Sequence, residues 1–554
     1  MIEIRISGKT IPLSPGTKIT VKETSPLWSG KLGRGSQSYK FSLPNLPETR
    51  EILDFADVLT QVGNQTIYKN VGIYYGGMLF RRGTLTVEQT SKKSFSASIA
   101  IENSALSQAL NAKTLDEYTY GGGRVISASS DPLVIAQDLQ NLALAAAAGT
   151  QASHDFTFFP IRNDSLNVSS YPFPYVNWYD PGSSSFPLID YIPYPYLYYV
   201  LRHIIEAEGF SWSDGAFWAQ SEILSLVIYN NHFLHYALEP TNPDYKSFFI
   251  AQHVPRINAL EFVRGIKDLF GLVPITQGNK LEWYTRNQIL ADSSQIDWRE
   301  KCMDYGTLYE VYDGLAYFSE QDGSDARIDL AKDPRPDLVV IGTLATKDLL
   351  PAGILNDVYY IEAENAFYHH DGTAWNFYGY DLAEVEVDGG EEEEFSSVST
   401  LMMYQGEIDP AFSGQDWRTP HTDIALSGLY NENVEYQDYS PRLLFYRGIQ
   451  NKYGSTYPYA SADDDAGNYT HSLFWHGQNG LYEKHWKEWT EAIATSKVAP
   501  YTLKLTETDL HEFSWIKKVR VRTYEGEAVG LVREMSYTLS DVGISAVSAE
   551  IVRL

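Results

Sequence analysis

His369-His370-Asp371 places three potential metal ligands in consecutive positions. Adjacent residues of a strand point to opposite faces, and Asp371-Gly372 reads as a turn, so the three do not converge on one ion. His232 and His235 share a face only if their segment is helical, and Asn230-Asn231 between two apolar runs favours a loop; both read as ordinary polar residues. Glu391 to Glu394 and Asp463 to Asp465 offer carboxylate oxygens for calcium, yet neither has the alternating ligand spacing of an EF-hand loop, and both read as solvated acidic loops. Cys302 is the only cysteine, which rules out an intramolecular disulfide, a four-thiolate zinc site and a Cys-x-x-Cys redox centre.

Nucleophilic and nucleotide chemistry finds no better support. The sequence has no Gly-x-Ser-x-Gly nucleophile elbow, and Gly8-Lys9-Thr10 cannot be a phosphate loop because Glu3 stands where the motif needs its first glycine. His511-Glu512 lacks a second histidine four residues after the first, so the zinc-protease signature fails. Gly33-Arg34-Gly35-Ser36 is too short for a dinucleotide fingerprint and reads as a flexible loop. Trp375-Asn376-Phe377-Tyr378-Gly379-Tyr380 has the aromatic faces of a sugar platform, although core or interface packing is the plainer use of such residues. A carboxylate pair for glycoside hydrolysis among 71 acidic residues is not visible in a sequence, so a carbohydrate-binding or carbohydrate-active protein stays open as an alternative. The reading is of no catalytic residue, no cofactor and no metal, hence not an enzyme.

What must position these side chains is a chain too long for one core. A single core stops growing near roughly 250 to 300 residues, so 554 residues imply three or four domains. With 44% hydrophobic and 21% charged residues the chain can fill those cores. Its 40 Tyr, 24 Phe and 12 Trp favour pleated surfaces and large contact areas. Forty-three basic against 71 acidic residues leave a charge of −28, which repels a phosphate backbone and excludes a conventional nucleic-acid binder. Met1 to Ile6 alternates like a strand rather than a signal peptide, and no run of about 20 apolar residues suggests a membrane span. The expectation is a soluble chain made in the cytoplasm, which weakens a surface or adhesion role.

The elements can be read from periodicity. Phe95, Ala97, Ile99 and Ile101 share one face of a strand whose partner is Gly83 to Glu88, with Gln89 to Lys93 as the link; residues 1 to about 115 read mainly as β, interrupted by a helix at about Glu48 to Leu59. Asp131-Pro132 starts a helix through Ala148, and the Tyr- and Pro-rich stretch from Phe156 to Tyr199 must be extended. Leu197, Val200, Leu201, Ile204 and Ile205 form a helical stripe ended at Gly209. Asn258, with Glu261 at the third helical position, opens a second helix that Gly271 stops, and Leu272 to Ile275 and Lys280 to Tyr284 flank Gln277-Gly278-Asn279 as a hairpin. Residues 300 to 475 hold short β runs such as Leu338 to Ile341 and Tyr359 to Ile361. A helix at about Leu481 to Thr495 carries Tyr482, Trp486, Trp489 and Ile493, and strands return from Thr502 to Leu554.

Phe41-Ser42-Leu43-Pro44, the short helix after it, Gly76 to Val87 and the strand at Phe95 resemble the start of tail hub proteins of phages and prophages, the Bacteroidetes type above all. Tyr194 to Phe210, Val254 to Tyr284 and Gly480 to Leu554 resemble the same proteins, so that the likeness covers about half of the chain. It implies an α+β, mainly β, multidomain fold with tube-like β-barrel or sandwich domains and small helix-plus-hairpin units. The units would be an N-terminal tube-like domain (1–125), a Tyr/Pro-rich segment with an α+β domain (126–300), a β-rich insertion or distal domain (301–478) and a C-terminal helix and strands completing a hub domain (479–554).

The implied role is structural. Three copies would form a ring, each supplying two tube-like domains to face a six-fold tail tube. Its partners would be the distal tail or tail tube protein, the tape-measure protein and a spike or receptor-binding fibres, and phage DNA would pass through the channel without specific binding. The place implied is the tail tip of the virion. The sequence departs from hubs with a fused lysin, since no peptidase or lysozyme signature stands at its C-terminal end, and 300 to 475 matches no part of the resemblance.

Overall fold

The strand Ser94–Ile101 alternates between buried and half-buried positions along its whole length, with Phe95, Ala97, Ile99 and Ile101 fully inside. That is the burial a strand needs when only one face meets a core. The computed structural model describes residues 2–28, 37–57, 67–101, 103–163, 165, 175–186, 191–234, 246–306, 310–311, 315–319, 340–352, 358–361, 366–370, 375–380, 391–395, 399–400, 402–407, 416–422, 424, 426, 440–452, 454–465, 467–474, 477–524 and 526–554.

Ser94–Ile101 is the third strand of an antiparallel meander after Ile67–Tyr75 and Met78–Thr90. Its expected partner, Gly83 to Glu88, lies inside Met78–Thr90, so the link between them is shorter than the sequence suggests. A second meander runs Lys518–Thr523, Gly526–Ser540 and Val547–Arg553. Both belong to one sheet, which has 16 strands among the described residues. They are joined by Ile19–Thr24, which lies antiparallel to Gly526–Ser540 from Ile19 opposite Leu539 to Thr24 opposite Glu534. Gln37–Ser38 links Ile19–Thr24 on to Ser94–Ile101. The first and last parts of the described chain are therefore hydrogen-bonded neighbours.

The two meanders share a local device. Gly83 stands opposite Ile101, the final residue of the third strand, and a β-carbon on it would sit 2.1 Å from the Ala100 carbonyl oxygen. Gly530 stands opposite Arg553, the final residue of its own third strand, and a β-carbon there would sit 2.3 Å from the Val552 carbonyl oxygen. No side chain fits at such distances, so in each long central strand a glycine permits the third strand to close in.

Against this sheet packs the helix-plus-hairpin unit. Asn258 caps Ala259–Leu269 by accepting from the Leu260 amide, and Phe262, Val263 and Ile266 face the core. The chain then turns at Gly271 with φ +58°, a conformation that costs other residues steric strain, into the hairpin Leu272–Gln277 and Lys280–Thr285. The helix Leu197–Ala207 buries Leu197, Val200, Leu201, Ile204 and Ile205, and Asp131 caps Pro132–Ala148. The described part of the Tyr/Pro-rich stretch is largely without helix as expected, but 181–184 form a turn and Leu197 to Tyr199 already belong to the helix Leu197–Ala207. Its rings build a separate aromatic core: Phe159 lies 4.5 Å from Tyr194 and 5.7 Å from Tyr446, centroid to centroid. Val340–Leu344, Val358–Ile361, Ala366–His370 and Trp375–Tyr380 form a smaller sheet. The whole is a mainly β, multidomain α+β architecture of several sheets with few helices.

Some elements differ from expectation. The helix expected at Glu48 to Leu59 is Pro47–Ile52, followed by Asp54 and Phe55 in the left-handed region, φ +44° and +54°. Those two residues break the helical path; residues 58 and 59 lie outside the described ones. Asn103–Leu110 is a helix that directly follows a strand with no breaker between them. The helix expected from Leu481 opens as a π-helical turn, Tyr482–Trp486, before Lys487–Ala494.

Candidate functional site

The candidate ligands do not assemble into a centre. His370 is buried with its ring 5.0 Å from that of Trp375, while Asp371 lies outside the described residues. His232 sits in a non-helical segment, as Asn230-Asn231 suggests, with its ring 5.6 Å from that of His253; His235 is outside the described residues. Glu391–Phe395 is a strand parallel to Leu315–Ser319. Cys302 is half-buried with its thiol on the Trp298 carbonyl, and burial raises its pKa, which favours the unreactive thiol over the thiolate. Ser7 and Gly8 form a hairpin turn and Lys9 opens the strand Lys9–Ile11 after it, its side chain paired to Glu51 at the surface; Gly33 to Ser36 lie outside the described residues. Trp375 donates to the Pro351 carbonyl and packs on Tyr359 and His370, so it is held in a contact rather than offered as a platform. Among the described residues no three His, Cys, Asp or Glu side chains are grouped to hold a metal ion, and no helix is long and apolar enough to cross a membrane.

Asp463 to Asp465 differ from the solvated loop expected of them. Asp463 and Asp465 are 3% and 5% exposed. Asp465 pairs with Lys452 and accepts from Asn468, while the Asp463 side chain accepts from the Asp465 amide. Beside them Glu222 accepts from Arg447, from the Thr470 and His471 amides, and from the Thr470 hydroxyl. Burial pushes the Glu222 pKa up, but hydrogen bonds from His471 and Thr470 and the Arg447 charge outweigh it and hold the carboxyl well below its usual range. His485 stacks on His471 at 6.0 Å, and burial together with the His471 charge pushes its pKa down to about 3. These groups lock the loop after Ser455–Ser461 onto the helix Ser221–Leu224.

A second ionic lock holds the junction between the two meanders. Glu23, on Ile19–Thr24, is 1% exposed and accepts from Arg81 Nε at 3.1 Å and from the Tyr537 hydroxyl. Arg81 lies on the first meander and Tyr537 on the second, so one carboxylate bonds to both. Arg81 also donates to the Leu510 carbonyl at 3.2 Å, which brings in the helix Glu507–Glu512. Thr20 and Thr538 share a 2.8 Å hydroxyl contact in the same seam, and Lys22 meets Glu534 at 2.8 Å. At a third place Glu208 draws together Lys69 and Lys113; burial pushes its pKa up, and the two lysines outweigh that and hold it low.

Above the Glu23–Arg81 pair lies a cleft of about 500 Å³. The start of Met78–Thr90, the turn of the 272–285 hairpin and residues 511–517 form its walls. Its floor is aromatic, with Phe80, Phe513 and Trp515 buried and Tyr284 half-buried. Its rim carries Arg82, His511, Glu512 and Gln277, all exposed, and the half-buried Lys517. The sequence singled out His511-Glu512 only as a failed metal motif. Arg82 and Lys517 carry no sequence signal, because what makes them neighbours is the meeting of the two chain halves.

No family model matches the chain, and no curated protein does. Among solved structures, the 43 kDa tail protein of prophage MuSo2 from Shewanella oneidensis aligns at 9% identity over 100% of this chain and 98% of that one, with a TM-score of 0.32. Prophage tail protein gp18 from Listeria monocytogenes EGD-e aligns at 9% identity over 100% and 94%, TM-score 0.33. The tail protein from Neisseria meningitidis MC58 aligns at 8% over 100% and 95%, TM-score 0.30.

Proposed function

We propose that this chain is a structural, non-enzymatic protein of a bacteriophage-type tail, the hub at the tail tip or baseplate. Three copies form a ring that joins a six-fold tail tube to a distal spike or fibres and gates the channel. The observation that carries the reading is the pair of three-stranded meanders, 67–101 and 518–553, fused in one sheet, each with a glycine in its central strand where the third strand closes in. Two comparable β units per chain are what a three-fold ring needs in order to offer six similar surfaces to a six-fold partner. The Glu23 lock supports it further, because bonding one buried carboxylate to both meanders fixes their relative position.

In this role the tube protein and the tape-measure protein meet one side of the ring, the spike or fibres meet the other, and DNA passes without specific binding. The net charge of −28 suits a wall over which DNA slides. The role is mechanical and uses no catalytic residue or cofactor. The test is antibody labelling of purified particles from a lysate in which this chain is expressed. Label confined to one end of the tail is the expected result; particles that lack the chain would remove the proposal.

A further inference from the structure

The cleft above Glu23 and Arg81 carries, beyond the groups that join the two meanders, a rim of exposed polar and charged side chains. Glu23 beneath it already accepts from Arg81 and Tyr537, so the floor contributes little net charge. Of the remaining ionic groups, Arg82 and Lys517 face a single carboxylate, Glu512, with the His511 ring beside them. In a chain of net charge −28 this is a local reversal of sign, set over buried aromatic side chains.

We propose that the cleft is a docking site for an extended acidic peptide segment of a partner protein, with an apolar side chain seated on Phe80, Phe513 and Trp515 and its carboxylates against Arg82 and Lys517. The volume lies within the roughly 300 to 1,000 Å³ of ordinary ligand sites, enough for a few residues rather than a folded surface. The charge pattern favours a peptide over a nucleic acid. A phosphate chain brings one charge per nucleotide towards a strongly acidic protein, whereas a peptide can place a few carboxylates only where the rim is positive. The neighbouring hairpin turn and the linker 513–517 are short and anchored, with Lys517 N donating to the Ser514 carbonyl, so the site is preformed.

The proposal does not depend on ring formation, because it is read on the free full-length chain. The probe is a fluorescent peptide with one Leu between two pairs of Glu, followed by anisotropy; the comparison peptide has Gln in place of Glu. The Glu peptide should bind at least about tenfold more tightly than the Gln peptide, and added salt should weaken it. Arg82→Glu and Lys517→Glu should each weaken binding at least about fivefold while leaving the melting temperature unchanged, since Arg82 is exposed and Lys517 half-buried. His511→Glu, on an exposed helix end, is a further variant that keeps the fold. Equal binding of the two peptides, no binding of the Glu peptide, or indifference to all three substitutions would overturn the proposal. Displacement of the peptide by a lower concentration of oligothymidylate would do so too, and would reassign the cleft to nucleic acid.

Discussion

Glu23 has a partner 58 residues away in Arg81 and another 514 residues away in Tyr537. A buried carboxylate of this kind is costly to leave unpaired: removing one partner of a buried ion pair destabilises by about 3 to 5 kcal/mol. Arg81→Met should therefore loosen the seam locally by about that amount, with Glu23→Gln in the same chain recovering part of it. Because a chain of several sheets need not unfold in one step, the readout is amide exchange in Ile19–Thr24 and Glu534–Leu539 rather than a global melt. Exchange unchanged in Arg81→Met would mean that the seam does not rely on this lock. The buried histidines set a second expectation. His485 is pushed down to about 3, by burial and then by His471, and His253 well below its ordinary value, by burial and then by His232. Unfolded, each takes a proton near pH 6.5, so below that value the unfolded chain binds protons that the folded chain refuses. Stability then falls as pH drops, by up to about 1.4 kcal/mol per pH unit for each ring. The low pKa of Glu222 works in the same direction, but its contribution is lost only below its unfolded value of about 4.3. A melting temperature that falls between pH 6.5 and 4.5, with a shallower fall in His485→Gln, is the expected result; a flat profile would contradict it. None of these partners could be read along the sequence, since nothing in the spacing of Glu23, Arg81 and Tyr537, or of Glu222 and Arg447, announces that they meet.

Elements were more legible than residues wherever one face is buried and a local signal marks the end. The alternation in Ser94–Ile101, the caps at Asp131 and Asn258 and the stop at Gly271 are each decided by the chain near them. The helix after Pro47 is shorter than its periodicity suggests because the left-handed Asp54 and Phe55 carry no glycine to mark the break, and Asn103–Leu110 gives no separate signal because its period of 3.6 begins close to where a period of two ends. The glycines of the two long strands could not be recognised either. Their role depends on Ala100 and Val552, which only strand pairing brings near. Gly83→Ala and Gly530→Ala should each push the third strand away from its neighbour and destabilise that meander by about 1 to 3 kcal/mol, as overpacking does. Amide exchange should rise in Ser94–Ile101 for the first and in Val547–Arg553 for the second. If each substitution left its own meander unaffected, the close approach would have no structural weight.

At the scale of the molecule, the mainly β α+β class was legible in the aromatic, β-prone composition and in the strand patterns, whereas the joining of the two chain halves was not. Sheet order depends on contacts more than 500 residues apart, such as Thr20 with Thr538. Some of the aromatic residues that suggested large contact areas prove to be core: Phe159, Tyr194, Tyr229 and Tyr446 pack on one another inside. If the chain is the proposed hub, its two fused β units let three chains close a ring with six similar surfaces. Light scattering on the purified full-length chain across a wide concentration range, combined with class averages from negative-stain images, tests it most directly. The expected particles have three times the 62.6 kDa chain mass and are ring-shaped, with a central channel and six similar lobes on one face. A chain that stays monomeric at every concentration, or closes into a ring of another order, would contradict it.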